Sequence, residues 1–224
     1  GSKTNLTVSG GALQLTDPSA NQTGTYEFAD TLDLGGVFTL TLKRHIQSLG
    51  FLVGSNIDSW ADFDSISNFD GDPANDTDCQ VFVKTSTDAS SYGSFNVFAN
   101  GEFKARAFQF KANLLTTNTN QNVNVQQLGY TAILPSRTEQ STTTIASGTN
   151  AGGKAITFSA PFFVGTASLG GANSYLPSIG ITAQNMASGD FFTITSVSGT
   201  GFTVKFLNGS TVLDRNFTYQ AVGF

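Results

Sequence analysis

From Phe103 to Leu114 the chain reads FKARAFQFKANL, an alternation of period two. Phe108, Phe110, Ala112 and Leu114 fall on one face, and Ala105, Ala107, Gln109 and Lys111 on the other. Successive side chains of a strand point to opposite faces, so the run predicts a strand with one face buried and one wetted. VFTLTL (37–42) repeats the pattern, and VNVQQLGYTAIL (123–134) is a further long strand-like run. No segment sustains apolar residues at helical spacing over roughly 11 residues. Without helices to make crossovers, the sheets must be antiparallel. The sequence therefore predicts an all-β protein.

Composition agrees with that reading. Apolar residues make up 39% of the 224, with 20 Phe among them, so a core is available. Charged residues are only 12%, and Ser, Thr, Asn, Gln and Gly supply the polarity, a mix that favours strands and turns over helices. The net charge is −5 and no basic stripe exists, which argues against nucleic acid as a partner. No run of roughly 18 apolar residues is present, so no membrane insertion is expected. Gly1-Ser2-Lys3 lacks an initiator Met and reads as a cloning scar, so we expect the chain to be a piece of a longer protein. Five N-x-S/T sequons, at Asn5, Asn21, Asn75, Asn208 and Asn216, are what chance gives in a chain rich in Asn and Thr.

A break follows Pro135. SRTEQSTTTIASGTNAGG (136–153) has no apolar periodicity and reads as a linker. Residues 1–140 carry 8 bases and 14 acids, whereas 141–224 carry 3 and 2. The expected division is a domain over 1–140, a linker over 141–153 and a small domain over 154–224. In the latter, AITFSAPFF (155–163), SIGITAQ (178–184), DFFTITSV (190–197), GFTVKFL (201–207) and NFTYQAVGF (216–224) read as strands of a small antiparallel sandwich. Asn208-Gly209 signals a hairpin between them. So small a domain buries little surface alone, which favours oligomerisation.

Few residues suit catalysis. His45 is the single histidine, beside Lys43 and Arg44 at a strand end, and no G-x-S-x-G elbow accompanies it. Cys79 is the single cysteine and leads into the strand VFVK (81–84), as a small buried residue would. Between Asp58 and Asp78 lie seven aspartates and Trp60, with no Lys or Arg from Arg44 to Lys84. Asp70, Asp72, Asp76 and Asp78 are candidate calcium ligands, because calcium takes several oxygens from one flexible loop. DGDPANDTD lacks the EF-hand glycine and closing glutamate, so the competing reading is a solvated acidic turn. Trp60, Tyr92, Phe95 and Tyr219 are candidates for stacking on sugar rings, competing with a core role for each.

The motifs GTYEFADTLDLGGVFT, IDSWADFDS, FDGD, VFVKTSTD, YGSFNVFANGEFKARAFQFKANL and LGYTAILPSR, within 24–137, resemble a module near the C-termini of bacteriophage tail-tip and host-specificity proteins. That module looks like a discoidin-type, galactose-binding-like jelly roll. In the resemblance, DSWADFDS and FDGD are framework turns, which turns the acidic stretch into a structural loop. Residues 154–224 are similar to modules that close such tail proteins, and to the sandwiches of H-type lectins, which are trimeric and bind sugars. The match lies in ITFSAPF, GFTV and GDFFTITSVSGTGFTVKFLNGSTVLDRNFTYQAVGF. Tyr219 stands where those lectins usually carry Trp, and their sugar-gripping basic residues and histidine have no counterpart here.

The resemblance implies a non-enzymatic receptor-binding module at the tail tip of a virion, outside the host cell. It implies a homotrimer that works with other tail proteins and binds bacterial surface glycan; the residues themselves, not the resemblance, make Trp60, Tyr92 and Tyr219 the candidate contacts. Two alternatives stand beside it: a structural trimerisation and attachment segment without a ligand, and an accessory module of a glycan-degrading enzyme.

Overall fold

A computed structural model describes residues 1–54 and 74–224. Among these residues there is no helix, and strands of two to 21 residues follow one another along the chain. The all-β sandwich expected from the sequence is what the chain forms. It divides into two compact units: Gly1–Asp33 with Thr39–Ile133, and Leu34–Phe38 with Leu134–Phe224.

The first unit is built from β1 (Ser2–Thr4), β2 (Leu6–Ser9), β3 (Ala12–Leu15), β4 (Thr23–Glu27), β5 (Leu32–Leu52, apart from Leu34–Phe38), β6 (Thr77–Ser86), β7 (Asn96–Val97), β8 (Gly101–Thr116) and β9 (Gln121–Ile133). They form one sheet in the order β1-β4-β8-β5-β9-β3-β2, with β6 joining β8 and β7 joining β6. The two ends of this path meet. Asn5 Nδ2 donates to the Thr23 carbonyl at 3.3 Å, and a Cβ at Gly24 would collide with the Leu6 side chain. Only glycine permits so close an approach, and it nearly closes the sheet on itself. The Asn122 amide works as a substitute ladder rung. Its Nδ2 donates to the Leu15 carbonyl at 2.9 Å, and its Oδ1 accepts from the Leu15 N–H at 3.1 Å. This satisfies backbone groups that would otherwise be buried unpaired.

Inside lie Leu40, Leu42, Val81, Val83, Phe98, Phe108, Phe110, Ala112 and Leu114, all buried. Phe110 stacks on Tyr130 at 4.1 Å between ring centres. The alternation in β8 holds from Phe108 to Leu114, but Ala105 and Ala107 are buried rather than wetted. The buried phase passes from odd to even residues between Ala107 and Phe108. Small alanines fit where a polar face was expected, and period-two counting cannot see such a slip.

The second unit has β10 (Arg137–Gln140), β11 (Ile145–Ala146), β12 (Lys154–Thr157), β13 (Ser178–Gln184), β14 (Asp190–Thr195), β15 (Gly201–Asn208), β16 (Thr211–Leu213) and β17 (Asn216–Gly223). One sheet has β17 at its centre, with β13 on one side and β10 and β11 on the other. The other is β12-β15-β14, with β16 added to β15. Ile156, Phe158, Phe162, Phe202, Val204 and Phe206 meet Phe217, Tyr219 and Ala221 in one core. Ring pairs Phe206–Phe217 at 5.7 Å and Phe202–Tyr219 at 5.3 Å join strands of the two sheets. The Asn208-Gly209 hairpin is present, pairing Asn208 with Thr211 while Gly209 takes φ +62°.

Two expectations need correction. The stretch 136–153 is not a free linker, because β10 and β11 lie in it and pair with β17. These strands of four and two residues are too short to show a period. Ser141 continues the pairing between them: its N–H donates to the Tyr219 carbonyl and its Oγ accepts from the Tyr219 N–H, both at 3.0 Å. The first strand of the small domain, expected over 155–163, stops at Thr157.

Backbone held in a ladder resists proteases. Trypsin should therefore spare Arg137 and Lys154 under native conditions, since both lie in paired strands. Mass spectrometry of the first fragments checks this; early cleavage at either residue would restore the linker.

Candidate functional site

The second unit carries a cleft of about 530 Å³ bounded by β10, β11, β12 and the segments beside them. Its walls present the hydroxyls of Ser141, Thr142, Thr143, Thr157 and Ser159. Ile145, Ile156 and Tyr219 supply apolar surface, and Lys154 and Glu139 are its charged residues.

Glu139 organises the cleft. Its Oε1 accepts from the Ser159 N–H at 2.8 Å and from the Tyr219 hydroxyl at 3.2 Å. Its Oε2 accepts from Ser159 Oγ at 2.9 Å and from Arg137 Nη1 at 3.3 Å. Burial by itself raises the carboxyl pKa, but the bonds from Ser159, Arg137 and Tyr219 outweigh it and hold the group below its ordinary value. Arg137 is itself fixed, with Nη2 donating to the Ala160 carbonyl and its guanidinium 3.7 Å from the centre of the Phe162 ring. A carboxylate so occupied is a rigid anion that positions hydroxyls. A general acid at neutral pH requires the opposite shift.

Tyr219 is buried, its ring against Phe158 and Phe202 and its hydroxyl on Glu139. Burial and then the Glu139 charge raise its pKa. Stacking of a sugar on its ring face is thus closed off, and Tyr219 borders the cleft as part of its floor. Tyr92 is half-buried in the first unit, with Lys84 Nζ 5.3 Å from its ring centre. It belongs to a different unit from Tyr219. Phe95 lies beside it, also half-buried. Trp60, Asp70 and Asp72 lie outside the described residues.

Asp76 and Asp78 are described, and both are engaged locally. Asp76 Oδ2 accepts from Asn118 Nδ2 at 3.2 Å and Gln121 Nε2 at 3.1 Å. Asp78 accepts from the Cys79 N–H and from Gln80 Nε2, both at 2.8 Å. Among the described residues no three His, Cys, Asp or Glu side chains are placed to hold a metal ion. His45 is exposed on β5 with Nε2 2.7 Å from Thr131 Oγ1. Cys79 is buried, and burial followed by the Asp78 charge pushes its thiol up to about 11. That thiol is a poor nucleophile at neutral pH.

Sequence reasoning missed Glu139 and Ser159. A signal existed: Glu139 is the one acid between Glu102 and Asp190. A solitary acid in a hydroxyl-rich stretch needs a structural reason to be there.

Folding favours the ionised form of Glu139, so its stabilising effect is complete above the ordinary value of 4.5 and is lost as pH falls through the lowered one. Glu139→Gln should therefore melt below the parent at neutral pH, by about 1–3 kcal/mol of stability. The gap should close on acidification; thermal melts of both proteins across pH 3–7 test this. A gap that does not change with pH would show that the carboxylate is not held ionised. No known protein family, curated protein or solved structure matches the chain.

Proposed function

We infer that the chain is a non-enzymatic receptor-binding module of a bacteriophage tail tip that recognises carbohydrate on the host surface. The observation that carries the binding is the cleft lined by Ser141, Thr142, Thr143, Thr157 and Ser159 around the fixed Glu139. Sugar hydroxyls both donate and accept, and they match a wall of hydroxyls with one immobile acceptor. The phage context comes from the resemblance of the sequence motifs to tail-tip modules. Such a small polar cleft binds weakly, with Kd on the order of millimolar for a single site.

Trimeric assembly supplies the remaining affinity, by roughly 10² or more. In support, β14 has β15 as its one ladder partner among the described residues, and it exposes both Phe191 (45%) and Phe192 (38%). Light scattering should give about three times the chain mass of 23.5 kDa, and a monomer at high concentration would remove the avidity from this reading.

Thr157 lines the cleft from an exposed position on β12, so Thr157→Trp fills the space without entering the core. The substitution should cut glycan-array and host-cell binding by about tenfold or more at unchanged melting temperature. If the parent protein binds neither host cells nor any glycan on a broad array, the attachment-segment reading replaces this one. Hydrolysis of host polysaccharide would favour the accessory-enzyme reading instead.

A further inference from the structure

The wetted side of β6 and β8 in the first unit carries an alternating ladder of rings and ammonium groups. Lys84 Nζ lies 4.6 Å from the centre of Phe95 and 5.3 Å from that of Tyr92. Lys111 Nζ lies 4.5 Å from the same Phe95 ring and 5.4 Å from Phe82. The order is thus Tyr92, Lys84, Phe95, Lys111, Phe82, with two like charges sharing one ring. Neither lysine makes an ion pair or hydrogen bond with a described residue. Glu27 stands opposite Lys111 in the β4–β8 register but forms no ion pair with it, and two further acids, Asp33 and Asp88, are engaged elsewhere. Asp33 pairs with Arg106 at 2.9 Å, and Asp88 accepts from Ser86 Oγ and from the N–H groups of Ser90 and Ser91.

The arrangement is built rather than incidental. The Asp88 bonds fix the turn that leads into Tyr92. The Gly93 N–H donates to the Thr85 carbonyl at 3.1 Å, and β7 pairs with Phe82 and Val83, which holds Phe95 in place. The lysines stand on adjacent strands, where Lys84 faces Gln109 and Phe82 faces Lys111. Ring quadrupoles attract the ammonium groups and hold them in place, yet each keeps donors to spare. Two fixed cations with unspent donors suit an oxyanion, which relieves their mutual repulsion and takes charge-assisted hydrogen bonds from both.

We propose that the Lys84–Phe95–Lys111 ladder is an anion-reading site for an acidic glycan, binding a carboxylate or phosphate group carried on a sugar ring. The half-buried rims of Phe82, Tyr92 and Phe95 offer apolar surface to the sugar's C–H groups. The net charge of −5 opposes a long nucleic-acid track but not a local contact with one acidic sugar. This site is separate in sequence and chemistry from the hydroxyl-lined cleft, and it does not rest on that reading.

The test measures binding of the full chain to immobilised polygalacturonate, a phosphomannan and neutral dextran, at low and at physiological salt. Polygalacturonate, phosphomannan or both should bind, and more weakly as salt rises; which of them binds better identifies the anion. Dextran should not bind at this site. Lys84→Gln with Lys111→Gln should lower acidic-glycan affinity about tenfold or more, and Lys84→Arg with Lys111→Arg should retain it. The single Lys→Gln variants serve if the double variant melts early. The proposal falls if neither acidic glycan binds, or if folded Gln variants bind as the parent does. It also falls if Thr157→Trp alone abolishes acidic-glycan binding, which would assign the anion to the cleft. Tighter binding of a single-stranded oligonucleotide at these lysines would overturn the glycan assignment in favour of a general polyanion surface.

Discussion

One carboxylate holds the cleft of the second unit together. Glu139 sits on β10, its shortest bonds come from Ser159 just beyond β12, and its third partner residue, after Ser159 and Arg137, is Tyr219 on β17. These elements belong to two different sheets. The sheets are joined by ring packing inside and by this charged knot at the rim. Ring packing is indifferent to small slides, whereas hydrogen bonds with defined directions are not. The hydroxyls around the knot keep fixed spacings because it does. Specificity for a sugar depends on such fixed spacing more than on the number of hydroxyls.

The two units manage their sheet edges differently. In the first, the contact between Leu6 and Gly24 brings the ends of the sheet together by side-chain packing and one Asn5–Thr23 hydrogen bond. In the second, β14 exposes Phe191 and Phe192 on an edge that has no ladder partner among the described residues. An edge of that kind invites another chain. Against a surface rich in Ser, Thr and Asn, an edge strand with an exposed phenylalanine on each face stands out as a place for association.

Much of the architecture could be read from residues alone. The run from Phe108 to Leu114 and the Asn208-Gly209 turn behave as their patterns state, because long alternation and turn chemistry are local properties. Burial of Ala105 and Ala107 escaped notice because a phase slip depends on what covers the strand. The strands at 137–140 and 145–146 escaped because they exist only through pairing with β17, some 80 residues away. Of the two readings open for Tyr219, stacking platform and core residue, its burial matches the second. Tyr219 alternates with Phe217 and Ala221, both fully buried, so its place in the core was legible in NFTYQAVGF. Glu139 was invisible as a site residue because its partners, Ser159 and Tyr219, come from distant segments.

The central position of β17 also sets a timetable. β10, β11 and β13 find their partner only in residues 216–223, and the cross-sheet ring pairs Phe206–Phe217 and Phe202–Tyr219 wait for the same strand. On the ribosome, where residues emerge at roughly 5–20 per second, the first unit has its strands in hand well before β17 appears. The apolar faces of β12 and β15, with Ile156, Phe202 and Phe206, must meanwhile stay in solution without a lid. Nascent chains side by side on one messenger would be at their most adhesive during that interval, which gives assembly between neighbours an opening before each chain is finished.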